Sequence, residues 1–226
     1  MNFFGHAALA ASHFTGEAGE AFVPSPRELA TLCAGAMLPD FIGMLRLTRP
    51  TLDDPMLARG VAFHHRTDEV FHDLPSFHRL SRQAFAWLSE RQLPRGPARA
   101  VAHIGIEMLL DEVLAGEQRA RDAYRAALEI PHGPLLRFPA PADAERLASL
   151  QRALLGRSAT EQTPAAELVA ERIVRTLSGR PRLATDEAGQ RLLGGWVAVT
   201  RPLVAAEAPE VLAGLREQLA NFGRAE

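Results

Sequence analysis

Histidines and carboxylates that could bind a metal are concentrated in one stretch of the chain, GVAFHHRTDEVFHDLP at positions 60–75. Within it, His64, Asp68 and His72 follow one another at intervals of four residues. On an α-helix this spacing puts the three side chains on one face. Imidazole and carboxylate groups are common protein ligands of divalent metals, so the stretch indicates a metal site. The alternative is a solvated polar face whose histidines share no role.

The same four-residue spacing occurs again at His103, Glu107 and Asp111, among apolar neighbours. Two helices that each carry such a face could enclose a buried metal site, as facing helices do in bundle cores. Burying several charges without a counter-charge is very costly, so a buried face of this kind implies a metal or mutual pairing. If the face is solvated instead, its residues form only a weak pair within one helix.

Two further residues, His6 and Asp40, extend the candidate ligand set. Their alternative roles are a hydrogen-bonded core histidine for His6 and a helix N-cap for Asp40. The candidate metal ligands are therefore His6, Asp40, His64, Asp68, His72, His103 and Glu107. Three other histidines have no matching partner in the sequence and are predicted to lie on the surface, namely His13, His78 and His132.

A divalent metal held by these residues would activate water and polarise a phosphoryl or acyl oxygen. This chemistry suits phosphoester hydrolysis better than a redox reaction. The candidate catalytic residues are Asp68, Arg66 and Glu107. Arg66 would offset negative charge on the phosphoryl oxygens, or else it pairs with an acid on its own helix.

The composition limits the classes of partner. A formal net charge of −2 and a pI near 6.5 argue against a general nucleic-acid-binding protein. The single cysteine, Cys33, excludes an internal disulfide and a cluster of thiolate ligands. The first residues lack a basic segment followed by a long apolar run, and no apolar run reaches membrane-spanning length. We therefore expect a cytoplasmic protein without a membrane span.

Helices must position the candidate ligands. Apolar residues recur at intervals of three and four, and alternating β-branched runs are missing from the sequence. This pattern predicts an all-α fold, a single-domain multi-helix bundle. The predicted domain covers residues 1–226, with a metal-site core over 1–130 and a helical extension over 131–226 packed on that core.

Local signals predict where several helices begin and end. Asp followed by Pro at positions 54 and 55 starts a central helix that is predicted to run from Pro55 to Asp73. Pro39 is predicted to end or kink the helix that contains it. Other helix-start signals are Ser25-Pro26 with Glu28 three residues later, Thr163-Pro164 and Ala208-Pro209.

Three segments together resemble the acyl carrier protein phosphodiesterase family, a divergent helical relative of the HD-type metal phosphohydrolases. They are Met1-Asn2-Phe3 with His6, the segment GAMLPDF at 35–41, and the stretch at 60–75. In the third segment the family has Gly, His, Arg and Asp, followed by a carboxylate before Leu-Pro. Those places carry Gly60, His64, Arg66, Asp68 and His72 here. The resemblance covers the first half of the chain and implies an HD-like fold.

The resemblance implies a hydrolase that uses a divalent metal to release phosphopantetheine from a carrier-protein serine. The implied metal is Mn²⁺, with Zn²⁺ or Fe²⁺ as alternatives, and the implied partners are an acyl carrier protein and a small phosphodiester substrate. The family has Asp-His where this chain has Glu107-Met108, and an acid where it has His72. Two alternatives stay open. First, the scattered histidines and the His-x-x-x-Glu pattern also resemble those of zinc-dependent phospholipase C proteins. Second, the chain could be a helical binding protein that keeps the fold but has lost the catalytic activity.

Overall fold

The computed structural model describes residues 1–15, 23–156 and 165–222. Within these ranges the chain forms nine α-helices and one pair of two-residue strands, so the predicted all-α class is confirmed. The helices are α1 (Phe3–Phe14), α2 (Pro26–Leu45), α3 (Pro55–Asp73), α4 (Pro75–Glu90), α5 (Arg95–Ala115), α6 (Gln118–Glu129), α7 (Pro141–Gly156), α8 (Ala166–Ser178) and α9 (Glu187–Leu219). The antiparallel strands are β1 (Thr51–Leu52) and β2 (Leu136–Arg137). The helix start predicted at Thr163-Pro164 lies outside the described residues, and the HD-like character of the bundle stays a prediction.

Side-chain caps set the first turns of α2 and α3. Asp54 Oδ1 accepts hydrogen bonds from the backbone N–H groups of Met56 at 2.8 Å and Leu57 at 3.0 Å. Helix α3 then covers the range that the sequence predicts. At α2, the Ser25 hydroxyl accepts from the Glu28 N–H, and the Glu28 carboxylate accepts from the Ser25 N–H. Both arrangements satisfy N–H groups that have no partner inside their helix.

Three prolines lie inside helices. Pro39 is within α2, and Pro202 and Pro209 are within α9. The prediction that a separate helix begins at Pro209 is therefore wrong. The physical reason is one buried apolar stripe that continues past this proline along α9, made of Val204, Ala208, Val211 and Leu215. Burying this stripe offsets the cost of an internal proline, which is about 3 kcal/mol.

The chain divides into two compact units. The α1–α2 unit consists of Asn2–Val70, Leu114–Glu161 and Arg216–Glu226. The α4–α5 unit consists of Met1, Phe71–Val113 and Gln162–Leu215, so α3 contributes its last three residues to it. Both units take residues from both sides of position 130, where the sequence analysis placed the boundary between core and extension.

Two glycines bring α2 and α3 into backbone contact within the α1–α2 unit. A Cβ at Gly35 would lie 2.2 Å from the carbonyl oxygen of Leu57, and a Cβ at Gly60 would lie 2.1 Å from that of Leu32. Real side chains do not tolerate such distances, so only glycine permits this crossing. The contact sets α2 directly beside the part of α3 that carries His64.

In the α4–α5 unit, Trp196 of α9 is fully buried against α5. A Cβ at Gly105 of α5 would lie 2.3 Å from the indole ring, so this glycine makes room for the tryptophan. Arg201 of α9 and Glu112 of α5 form an ion pair with a separation of 3.0 Å between Nε and Oε2. These contacts hold α5, which carries His103, against α9.

Among the described residues, α2 alone is long and apolar enough to cross a membrane by length and composition. From the sequence we expect no apolar run of this length. More than half of this apolar stretch is buried inside the protein, which is also the pattern of a core helix in a soluble protein. The lack of a membrane span therefore stays a prediction.

Candidate metal centre

Four of the predicted ligands meet in the α1–α2 unit, and we call them the buried centre: His6 of α1, Asp40 of α2, and His64 and Asp68 of α3. The ligand atoms of His6, Asp40 and His64 all lie within 4.8 Å of one another. His6 Nε2 is 3.1 Å from Asp68 Oδ1, and His64 Nε2 is 3.4 Å from Asp68 Oδ2. Atoms that share one metal at about 2.0–2.2 Å stand roughly 3 Å apart. The observed separations fit a shared ion.

A backbone hydrogen bond fixes the orientation of the His64 ring. His64 Nδ1 lies 2.8 Å from the carbonyl oxygen of Ala36, which can only accept, so Nδ1 donates its proton to this bond. In the neutral ring the lone pair is then on Nε2, the atom that faces Asp68. Metal-binding histidines commonly donate their other nitrogen to a carbonyl in this way. The glycine contact between α2 and α3 brings the Ala36 carbonyl within reach.

Burial and pairing keep His6 and Asp68 in their metal-binding protonation states. His6 is fully buried, and the loss of solvent lowers its pKa to about 3 despite its hydrogen bond to Asp68. Partial burial acts to raise the pKa of Asp68, but the hydrogen bond from His6 and the contact with His64 outweigh burial and hold this pKa well below its usual range. Neutral imidazole and ionised carboxylate are the forms that bind metals, and an ion that binds His6 Nε2 takes the place of the proton shared with Asp68.

Three other predicted ligands meet in the α4–α5 unit, and we call them the exposed cluster: His72 of α3, and His103 and Glu107 of α5. Glu107 Oε1 lies 3.3 Å from His72 Nε2 and 3.1 Å from His103 Nε2. The α-amino nitrogen of Met1 lies 3.2 Å from the same oxygen. Solvent reaches 37% of the His72 side chain and 47% of the His103 side chain, against 13% for Glu107.

The nitrogen atoms around Glu107 keep its carboxylate ionised. Burial acts to raise the pKa of Glu107, but hydrogen bonds from His103 and His72 outweigh it and hold this pKa well below its usual range. An ionised carboxylate between two imidazoles is a donor set that can hold a divalent cation.

Comparisons of the chain with known protein families, with curated proteins and with solved structures give no match. The resemblance to the acyl carrier protein phosphodiesterase family therefore stays a prediction. What is shown is that two groups of His, Asp and Glu side chains have the composition and spacing to bind a metal.

The spacing of the ligands predicted that two helical faces converge on one site. The structure instead groups the predicted ligands as four residues in one unit and three residues in the other. Helices α1 and α2 supply the partners of His64 and Asp68, whereas α5 supplies the partners of His72. Asp111, the third member of the pattern on α5, belongs to neither group.

The structure also locates Arg66 and His132. Arg66 Nη1 donates to Glu69 Oε2 at 2.7 Å, and both side chains lie on the exposed side of α3. This is the pairing that the sequence analysis gave as the alternative to a phosphate role. His132 was expected on the surface, but it is buried, so that prediction is wrong. The N–H groups of Leu135 and Leu136 donate to its carbonyl oxygen, and this turn leads into β2, whose Leu136 is buried as well.

Sequence reasoning missed one group at the buried centre, the carbonyl of Ala36. A backbone carbonyl has no sequence signal, because every residue carries one. Arg49 is exposed and lies between α2 and β1. Burial is the main cause of the lowered pKa of His65, and His64 and, to a smaller extent, Arg49 add to it.

The single cysteine offers no alternative chemistry. Cys33 is buried within α2, and burial raises the pKa of its thiol to about 12. A thiol with such a pKa is almost entirely protonated at neutral pH and is a poor nucleophile. Cys33 is therefore a small core residue, as the apolar run around it indicates.

Proposed function

We propose that this protein is a divalent-metal-dependent phosphodiester hydrolase whose metal binds at the buried centre. The observation that carries the proposal is the convergence of His6, Asp40, His64 and Asp68 from three helices, with the His64 ring already oriented by Ala36. A metal-binding histidine is expected to have its ring oriented in this way before the ion binds, so the orientation of His64 supports a role as a metal ligand.

The donor set supports the choice of metal. Carboxylates suit Mg²⁺ and Mn²⁺, whereas imidazoles suit Zn²⁺ and Fe²⁺. A mixed set of two imidazoles and two carboxylates favours Mn²⁺, which accepts both kinds of ligand. Zn²⁺ and Fe²⁺ are the alternatives, and four protein ligands leave positions for water and substrate on a six-coordinate ion.

A divalent cation supplies Lewis-acid polarisation of a phosphoryl oxygen and makes water at the site more acidic. The protein's own contribution is to fix the ligand directions and the protonation states. His6 is neutral because of its burial, and the Ala36 carbonyl holds His64 in one tautomer. Asp68 is one-third exposed, so it is the ligand that can orient an attacking water molecule by accepting a hydrogen bond from it.

A cation near the buried centre would help to bind the substrate. Arg49 is exposed and its charge acts on His65, so the proposal gives its guanidinium the role of pairing with the non-bridging oxygens of a phosphodiester. Arg66 would take this role, predicted from the sequence, only if its ion pair with Glu69 opens.

For the specific reaction we propose the release of phosphopantetheine from a carrier-protein serine, with an acyl carrier protein as partner in the cytoplasm. The support is the resemblance over the first half of the chain, together with the presence of His6, Asp40, His64 and Asp68 in one site. The linkage between phosphopantetheine and serine is a phosphodiester, so it belongs to the class of bond that the site suits.

Activity measurements on the purified protein test the general reaction. Protein reconstituted with Mn²⁺ is expected to hydrolyse bis(p-nitrophenyl) phosphate, and His64→Gln is expected to lower the rate by at least about 100-fold, because a metal ligand is lost. The matched control is His65→Gln, which changes the exposed neighbouring histidine and is expected to keep the wild-type rate within about twofold. Equal rates for wild type and His64→Gln would contradict the proposal. The same proteins are then assayed with a phosphopantetheine-bearing carrier protein to test the specific reaction.

A further inference from the structure

We infer that the exposed cluster is a second divalent-metal site, formed by His72, His103 and Glu107 and suited to a borderline cation of the zinc class. All three residues belong to the α4–α5 unit, whereas the proposed hydrolase uses residues of the α1–α2 unit. The inference therefore goes beyond the proposed function and does not depend on it.

The distances in the exposed cluster match those around one small ion. His72 Nε2 and His103 Nε2 are 3.3 Å and 3.1 Å from the same Glu107 oxygen, and all three ligand atoms lie within 4.8 Å of one another. Three N or O ligands at about 2.0–2.2 Å from zinc stand roughly 3.0–3.5 Å apart. Small movements of the side chains would therefore bring all three atoms onto one cation.

A buried aromatic ring holds the two imidazoles in place. Phe77 of α4 is buried, and its ring centroid lies 5.4 Å from that of His72 and 5.4 Å from that of His103. The imidazole rings are themselves stacked, with centroids 4.9 Å apart and an angle of 25° between their planes. Both Nε2 atoms thus point toward Glu107 before any ion binds, which lowers the cost of assembling the site.

The donor set and the exposure indicate the class of ion. Two histidines and one glutamate are a ligand set of zinc sites that leave a position open to water, and the same set with open positions binds Fe²⁺. Imidazole is a poor choice for Mg²⁺ or Ca²⁺. Because 37% of His72 and 47% of His103 are exposed, an ion and its water ligands can enter from solvent.

A competing account explains the same distances without a metal. Hydrogen bonds from His72, His103 and the α-amino group of Met1 would neutralise the largely buried Glu107 carboxylate. This network needs protonated nitrogens and leaves no lone pair facing the carboxylate. It predicts that removing His103 leaves zinc uptake unchanged.

Zinc binding by the whole protein separates the two accounts. The probe is Zn²⁺ alone, and bound metal is measured by elemental analysis after equilibrium dialysis at pH 7.5. His103→Gln is expected to lose one equivalent of zinc, or to bind that equivalent at least about 100-fold more weakly, relative to wild type. His78→Gln is the matched control, because His78 is exposed on α4 and belongs to neither group. This control variant is expected to bind as much zinc as the wild-type protein.

A second ligand variant and a variant of the buried centre complete the test. His72→Gln, which also changes an exposed side chain, is expected to reproduce the loss seen with His103→Gln. If both variants bind zinc as wild type does, or if wild type binds none, the inference is overturned. One equivalent of zinc that is lost in His103→Gln but still bound by His64→Gln supports the inference. This holds even if the protein hydrolyses no phosphodiester. If zinc binding is reduced in His64→Gln but not in His103→Gln or His72→Gln, the inference is overturned and the proposed function is left intact.

Discussion

The buried centre and the exposed cluster are built from the same residue types but differ in what surrounds them. The buried centre takes ligands from three helices, and a backbone carbonyl orients one of its rings. The exposed cluster takes ligands from two helices, and an aromatic ring packs against both of its imidazoles. The first has an extra carboxylate and two histidines that are buried, whereas both histidines of the second are partly open to solvent. The same spacing on a helix therefore leads to two donor sets with different metal preferences.

The largest expected effect comes from breaking the backbone contact that supports the buried centre. In Gly60→Ala, the new Cβ would meet the carbonyl oxygen of Leu32 at 2.1 Å and the nitrogen of Ala36 at 2.8 Å. The helices must move apart, so we expect a loss of about 3 kcal/mol or more in the free energy of unfolding. Urea denaturation measures this loss, and metal bound at His64 should weaken in parallel.

A matched glycine on α2 provides the control for this substitution. A Cβ at Gly43 would meet nothing within 4 Å, so Gly43→Ala should stabilise the protein slightly, by up to about 1 kcal/mol, through better helix propensity. Equal stability of the Gly60→Ala and Gly43→Ala variants would show that close contact between α2 and α3 does not support the centre.

A smaller effect concerns the pH dependence of the metal-free protein. The pKa of His6 falls from 6.5 to about 3 on folding. Between these values the unfolded chain binds a proton that the folded chain does not, so stability is lost as the pH falls from 6.5 toward 3. For one group the slope reaches about 1.4 kcal/mol per pH unit. Asp68, whose pKa is also lowered on folding, acts in the same direction at still lower pH.

Urea denaturation after treatment with a chelator, at several pH values between 4.5 and 7, measures this slope. His6→Asn removes the titrating ring, so the variant is expected to lose less stability than wild type over this range. The attribution to His6 fails if the two proteins show the same slope.

The smallest expected effect is a change in KM, and it differs between two arginines of the α1–α2 unit. Arg49 is exposed and its charge acts on His65, whereas Arg66 is held by Glu69. Arg49→Ala should therefore raise KM for a phosphodiester by about tenfold. A tenfold change corresponds to about 1.4 kcal/mol, which is close to the contribution of one hydrogen bond to a charged group. Arg66→Ala should change KM by less than about twofold. Steady-state kinetics with bis(p-nitrophenyl) phosphate measure both, and the reverse order would reinstate Arg66 as the phosphate-binding residue.

Local signals in the sequence predicted much of the secondary structure. The bounds of α3 follow from Asp54 as N-cap and proline in the first turn, and the start of α2 follows from the reciprocal bonds of Ser25 and Glu28. The prediction failed at Pro209, because a buried stripe on α9 overrides the local preference of proline. Local rules hold where capping decides the outcome and fail where tertiary burial decides it.

The candidate ligands were also predictable, but their grouping was not. Spacing alone aligns His64, Asp68 and His72 on α3, and it cannot say which other helix approaches each of them. That depends on the close contact at Gly35 and Gly60, which sets α2 beside His64. The part played by Ala36 was hidden as well, because its carbonyl oxygen is common to every residue.

The most direct test of the central claim is anomalous diffraction from crystals grown with Mn²⁺. The account predicts a manganese peak in the α1–α2 unit, within about 2.3 Å of ligand atoms from at least three of His6, Asp40, His64 and Asp68. A well-occupied peak at other residues only, or no peak at these four at saturating Mn²⁺, would contradict the claim that the buried centre is a metal site.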